Sequence, residues 1–183
     1  MRSAVIWVCL LLAGCAAMQE QPGPAAPIGV AFHISGRISV KYGAEATSGK
    51  IAWRHDAASD ELLLMNPFGQ GVARIARSDN LVTLTTSEQK LYQANDVETL
   101  TEQVLGWRLP FAGLADWVRG RAAPDMPAQS RRDDLERLSE LRQSGWLIEY
   151  LEYRGESGPP ARLRLSRKDV EIRLVIDEWR AAR

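Results

Sequence analysis

From Phe32 onward the chain alternates between apolar and polar side chains. Phe32, Ile34, Ile38 and Val40 are interleaved with His33, Ser35, Arg37 and Ser39, and Gly36 marks a bulge or a close backbone approach. Ile51 and Trp53 alternate with Lys50, Ala52 and Arg54. The run 61–65 is apolar on both faces, and short segments at 72–77, 81–86 and about 90–94 follow. The rhythm returns late in the chain. Trp146, Ile148 and Tyr150 alternate with Leu147, Glu149 and Leu151, then Leu163 and Leu165 lie among Arg162, Arg164 and Ser166. Finally Val170, Ile172, Leu174 and Ile176 alternate with Glu171, Arg173 and Asp177. Many short strands joined by turn signals predict an antiparallel sheet, curled or closed.

The middle of the chain changes period. Asn95 and Glu98 have capping-box spacing, with Asn95 as N-cap, and predict a helix to about Leu105 with Val97, Leu100 and Val104 on one stripe and Gly106 ending it. A second short helix follows Pro110, carries Phe111, Leu114, Ala115 and Val118 on one face, and ends before Gly120. Two helices between two groups of strands predict a half-barrel with helices filling one mouth. Residues 131–142 are ambiguous. Leu135, Leu138 and Leu141 at spacings of three favour a helix, whereas Gln143-Ser144-Gly145 before the Trp146 strand suits a hairpin.

One turn is unusual. Asn66-Pro67-Phe68-Gly69 suits a type I turn, with Asn first, Pro second and Gly fourth. It places Phe68, an aromatic residue with no backbone role in a turn, at the tip between two strands.

The N-terminus adds an address. Arg2, the apolar run Ala4–Ala13 and then Gly14-Cys15 describe an export signal, too short to span a bilayer, which takes about 20 apolar residues. Leu12-Ala13-Gly14-Cys15 resembles a bacterial lipobox. Residues 1–14 are then removed, Cys15 is acylated, and residues 15–29, with the Pro-rich stretch "QEQPGPAAP", form a tether to a single domain over 30–183. Cys9 is lost with the signal, so Cys15 has no partner thiol, which a lipid explains. The mature chain has 169 of the 183 residues and 22 basic against 23 acidic groups, a formal charge of −1, without the basic footprint of a nucleic-acid binder.

Candidate chemistry is scarce. His33 and His55 fall on predicted strands among polar neighbours and read as surface residues. Gly69 and Gly71 fail the dinucleotide pattern at Arg74, and no nucleophile elbow or paired cysteines occur. The sequence offers no catalytic residue, no metal ligand set and no cofactor. Five tryptophans survive processing, at positions 53, 107, 117, 146 and 179. Each alone suits a core; together they could line an apolar hollow in a small half-barrel.

Several motifs together resemble the LolB family of outer-membrane lipoprotein receptors. They are Gly36-Arg37-Ile38, Trp53, Leu64-Met65-Asn66-Pro67-Phe68-Gly69, Leu105-Gly106-Trp107 with Leu109-Pro110, Leu114 with Trp117 and Gly120, Gly145-Trp146 with Ile148 and Tyr150, and Asp177 with Trp179. The resemblance covers about residues 30–179. It implies a mainly β fold with a small α part, an unclosed antiparallel barrel of about eleven strands whose helices cap the interior, and strand or loop at 131–142. It implies a non-enzymatic protein, a monomer, on the periplasmic face of the outer membrane. Such a protein takes lipoproteins from the soluble carrier LolA and inserts them into the membrane without nucleotide hydrolysis. The expected acyl-cavity residues are Trp53, Leu64, Trp117, Trp146 and Ile148, with Trp117 as a lid. The membrane-insertion loop is Pro67, Phe68 and Gly69, and the position of Phe68 is commonly leucine in that family. Ala16, after the modified cysteine, fits export to the outer membrane. The competing expectation is a lipid-anchored assembly protein with a flat patch and no cavity.

Overall fold

The computed structural model describes residues 31–78 and 81–181; the signal, Cys15 and the tether lie outside the described residues. Eleven strands and two helices follow one another as β1 (Phe32–Tyr42), β2 (Glu45–His55), β3 (Ser59–Met65), β4 (Gly71–Ser78), β5 (Leu81–Thr86), β6 (Leu91–Ala94), α1 (Val97–Leu105), α2 (Phe111–Trp117), β7 (Ala128–Arg132), β8 (Leu138–Gln143), β9 (Trp146–Tyr153), β10 (Pro160–Arg167) and β11 (Val170–Ala181). The strands form one antiparallel sheet in the order β6-β5-β4-β3-β2-β1-β11-β10-β9-β8-β7. β6 and β7 are its two edges and do not pair, so the barrel stays open. The chain leaves the sheet at one edge, lays α1 and α2 inside, and rejoins at the other edge.

The ladder registers fix two ends. Tyr42 pairs with Glu45 and Val170, Lys50 with Met65, Thr85 with Leu91, and Gln143 with Trp146. The β1–β2, β3–β4, β5–β6, β8–β9 and β10–β11 turns therefore share one end of the sheet, here the upper end. The start of β1 and the end of β11 lie at the lower end, where Phe32 pairs with His55 and Ala181.

Alternation produces the interior. Phe32, Ile34, Ile38 and Val40 are buried on β1, Ile51 and Trp53 on β2, and Ile172, Leu174 and Ile176 on β11, and they join helix residues Val97, Leu100, Leu114, Trp117 and Val118 in a continuous core. Gly36 is required by close approach: a Cβ there would sit 2.0 Å from the Val175 carbonyl, at the bulge between Ser35 and Gly36.

One local expectation changes and one ambiguity is resolved. The N-cap of α1 is Asp96, not Asn95; its Oδ1 accepts the Thr99 N–H at 2.7 Å. The cap is shifted by one residue and no capping box forms, which leaves the half-buried Glu98 to accept the Ala112 N–H and tie α1 to α2, while its burial raises its pKa. Residues 131–142 are strand and turn, as the resemblance implied, and not the helix that a spacing of three favoured. They are the end of β7, a turn in which Asp133 accepts the Leu135 and Arg137 N–H groups, and β8. Arg131 pairs with Glu140 but Arg132 with Leu138, so Ser139 is an extra residue in β8. That bulge lets Leu138 and Leu141, three apart, both face the core, while Leu135 is left exposed at the turn. A spacing of three thus arose from a strand with a bulge.

Candidate functional site

At the upper end the interior is not filled. A half-open hollow of about 940 Å³ lies there, walled by Ile38, Val40 and Tyr42 of β1, Ala46, Thr47 and Gly49 of β2, Leu64 and Met65 of β3, and Val104, Leu105 and Trp107 at the end of α1. Its walls are mostly apolar, and its volume falls in the range of small-molecule sites, about 300–1,000 Å³. The space exists because Ala46 to Gly49 in the upper half of β2, with Ala44 just before it, are small side chains where the lower half carries Ile51 and Trp53.

The Phe68 turn stands on the same rim, with Asn66 and Pro67 forming part of the wall. Its conformation follows from Asn66. The Gly69 N–H donates to the Asn66 carbonyl at 2.9 Å, and the Asn66 side-chain oxygen accepts the Phe68 and Gln70 N–H groups at 3.0 Å. Gly69 takes φ +90°, a left-handed value that suits glycine. The Phe68, Gly69 and Gln70 N–H groups are thereby all bonded within the turn, and Phe68 is left 90% exposed. Tyr42 and Val72, also exposed, flank it at the mouth.

The residues expected to line the hollow are not brought together. Leu64 lies on its wall. Trp53, Trp117 and Ile148 are in the packed core instead. The Trp53 indole donates to Asp60 at 2.8 Å, and that of Trp117 donates to Gln143 at 2.8 Å. Gln143 also accepts the Ala123 N–H and donates to the Ala123 and Met126 carbonyls, so it fastens α2 and the following loop to β8. Trp146 is buried beside a separate, more polar recess of about 690 Å³ bordered by Gln129, Arg142 and Arg167. Large rings fill space, and the expectation took volume for capacity. Ile38, Val40, Thr47, Val104 and Trp107 were missed as wall residues. The available signal was the run of small residues at 46–49.

His55 also differs from a surface histidine. Its ring is part-buried against Phe32, with Nδ1 2.7 Å from the Asp60 carboxylate. Asp60 is 4% exposed and also accepts from Arg77, so a buried carboxylate at the lower end joins β2, β3 and β4. This cluster lies at the other end from the hollow. Among the described residues no group of three or more His, Cys, Asp or Glu could hold a metal ion, and no helix is long and apolar enough to cross a membrane.

Solved structures share this architecture. A LolA superfamily protein from Nitrosomonas europaea superposes with TM-score 0.54 at 9% identity, covering 87% of this chain and 89% of that one. A DUF1329 family protein from Desulfovibrio piger gives TM-score 0.55 at 5% identity, over 83% and 85% of the two chains. At those identities the likeness is one of fold: an unclosed antiparallel sheet wrapped round helices, the LolA-like half-barrel. Sequence narrows it. The family model "Outer membrane lipoprotein LolB" matches residues 30–179. The chain is 39% identical to the outer-membrane lipoprotein LolB of Nitrosomonas europaea, over 97% of this chain and 92% of that protein. It is 42% identical to that of Thiobacillus denitrificans, over 93% and 92%. The chain belongs to the LolB family.

Proposed function

We propose that this protein is a lipoprotein receptor of the outer membrane: it accepts lipoproteins from the periplasmic carrier LolA, shelters their acyl chains in the upper hollow, and releases them into the bilayer beside Phe68. The single observation that carries this reading is the apolar hollow opening on the rim that bears a 90% exposed phenylalanine. Each buried methylene contributes about 0.8 kcal/mol, so an apolar wall holds an acyl chain strongly. The hollow is half-open and includes Glu45, Thr47 and Ser48, so it buries a chain less completely than a bilayer does. Release into the membrane is then downhill by differential affinity, with no nucleotide needed. An assembly protein that only tethers its partners has no use for such a hollow.

The anchor is lipid on Cys15, on the periplasmic face. One acyl chain binds a membrane only marginally, so more than one is expected. Intact-mass spectrometry of membrane-extracted protein should find residue 15 as the N-terminus, with lipid attached; an unmodified Cys15 would refute the anchor. Geometry permits the anchor and Phe68 to enter one bilayer. β1 begins at the lower end, and its eleven residues span about 36 Å. Residues 15–30 reach about 50 Å when extended.

The test of function is transfer. Carrier-bound lipoprotein mixed with liposomes should be incorporated only when this protein is added, with no nucleotide present. Release from the carrier without incorporation, or no release, would count against the receptor reading.

A further inference from the structure

The chain has four lysines among its 23 basic residues, Lys41, Lys50, Lys90 and Lys168, and all four are exposed, three at the upper end and Lys50 level with Met65 at the foot of the Phe68 turn. Lys41 points outward from the upper end of β1, Lys50 from the middle of β2 beside Met65 at the end of β3, Lys90 ends the β5–β6 turn, and Lys168 opens the β10–β11 turn. Arginines along the strands are used differently, although Arg167, which ends β10 beside Lys168, forms no ion pair among the described residues. Arg37 is paired with Asp177, Arg54 with Glu61, Arg77 with Asp60 and Arg137 with Asp133, all within the sheet or its turns. Lys90 has Glu88 at 2.7 Å, but Lys41, Lys50 and Lys168 form no ion pair among the described residues. The other acids of this rim are Glu45, Asp169 and Glu171; Glu171 faces Lys41 across the ladder but is held by Arg173 at 2.8 Å.

We infer that this rim is a second membrane-docking surface, in which the four lysines engage anionic phospholipid headgroups around the point where Phe68 enters. The inference rests on the receptor reading and adds the lipid class. Arginine forks suit carboxylates fixed in a sheet, whereas lysines carry point charges on flexible stems that extend past an apolar contact to the headgroup level. Lysines spread along the end of the sheet that carries an exposed aromatic give that end the charge complementarity of an anionic bilayer surface. Each lysine near such a surface contributes roughly fivefold in partitioning, and salt screens it.

The test uses the lipid-anchored protein in vesicles of phosphatidylcholine, with or without phosphatidylglycerol as about a third of the lipid. Backbone amide exchange is followed at the turns 43–44, 66–70 and 168–169. A variant combining Lys41→Gln, Lys50→Gln, Lys90→Gln and Lys168→Gln serves as comparison; its residues are exposed, so its melting temperature should match wild type. Phosphatidylglycerol should raise protection of these turns at least tenfold in wild type at low salt. The gain should vanish at high salt and in the variant. Equal protection on both vesicle types overturns the headgroup inference but leaves Phe68 insertion standing. No protection on either vesicle removes both. A variant that keeps its response to phosphatidylglycerol but accepts lipoprotein poorly from the carrier shows that the lysines serve a protein partner, and also overturns the inference.

Discussion

Phe68→Glu should leave the protein folded and able to unload the carrier, yet cut incorporation of lipoprotein into liposomes by at least tenfold. The ring is 90% exposed, and the turn is held by Asn66 and Gly69 rather than by the phenyl group, so folding asks nothing of it. Its melting temperature should stay within a degree or two of wild type, since a change of 1 kcal/mol shifts Tm by only about 2–4 °C in a chain of this size. The hollow is walled by Asn66 and Pro67 but not by Phe68, so acyl binding should persist. What changes is the last step. Burying a phenylalanine side chain in the bilayer contributes about 1.5–3 kcal/mol, and a buried charge costs about as much again. Phe68→Leu should behave as wild type, because only apolar character is asked of the tip. Normal incorporation by Phe68→Glu would mean that the ring never enters the membrane.

Trp117→Ala should destabilise the protein by about 3–5 kcal/mol without weakening acyl binding per folded molecule. Trp117 is 1% exposed, its indole N–H is bonded to Gln143, and Gly113 on the preceding turn is shaped to it: a Cβ there would lie 2.3 Å from the ring. The substitution opens a void between α2 and the sheet and removes one partner from a buried polar group. Urea unfolding gives the stability, and titration with a lipid-like probe gives the binding. A stable variant with lost probe binding would restore Trp117 as a lid over the acyl chain.

The architecture was legible because it rests on alternation. β1 and β11 each expose a mainly polar face and bury an apolar one, and period 2 reports that plainly. α1 was legible from its caps to within one residue, Asp96 for Asn95. β7 carried no signal: Ala128-Gln129-Ser130-Arg131-Arg132 is an edge strand exposed throughout, held by its ladder with β8 rather than by burial. In β8 the bulge at Ser139 imitated a helical spacing. The Phe68 turn was legible since Asn, Pro and Gly each solve a separate backbone problem. The hollow was not, because a cavity is an absence of side-chain volume. Conspicuous rings at 53, 117 and 146 drew attention to the core, while the chain made its space with alanine, threonine, serine and glycine at 44 and 46–49. Leu64 was the one expected wall residue found there, placed by the inward face of β3. Asp60 escaped notice too, since an acid among polar strand residues looks solvated until three donors converge on it.

Whether the upper hollow holds acyl chains can be settled by photocrosslinking. A diacyl lipopeptide with a photoreactive group in one chain is bound, irradiated and mapped by peptide mass spectrometry. Saturable adducts should fall within residues 38–49, 64–72 and 104–107, and excess unlabelled lipopeptide should suppress them. Adducts spread over the outer sheet faces, or concentrated at Trp146 and its polar recess, would contradict an acyl-holding hollow at the rim that carries Phe68.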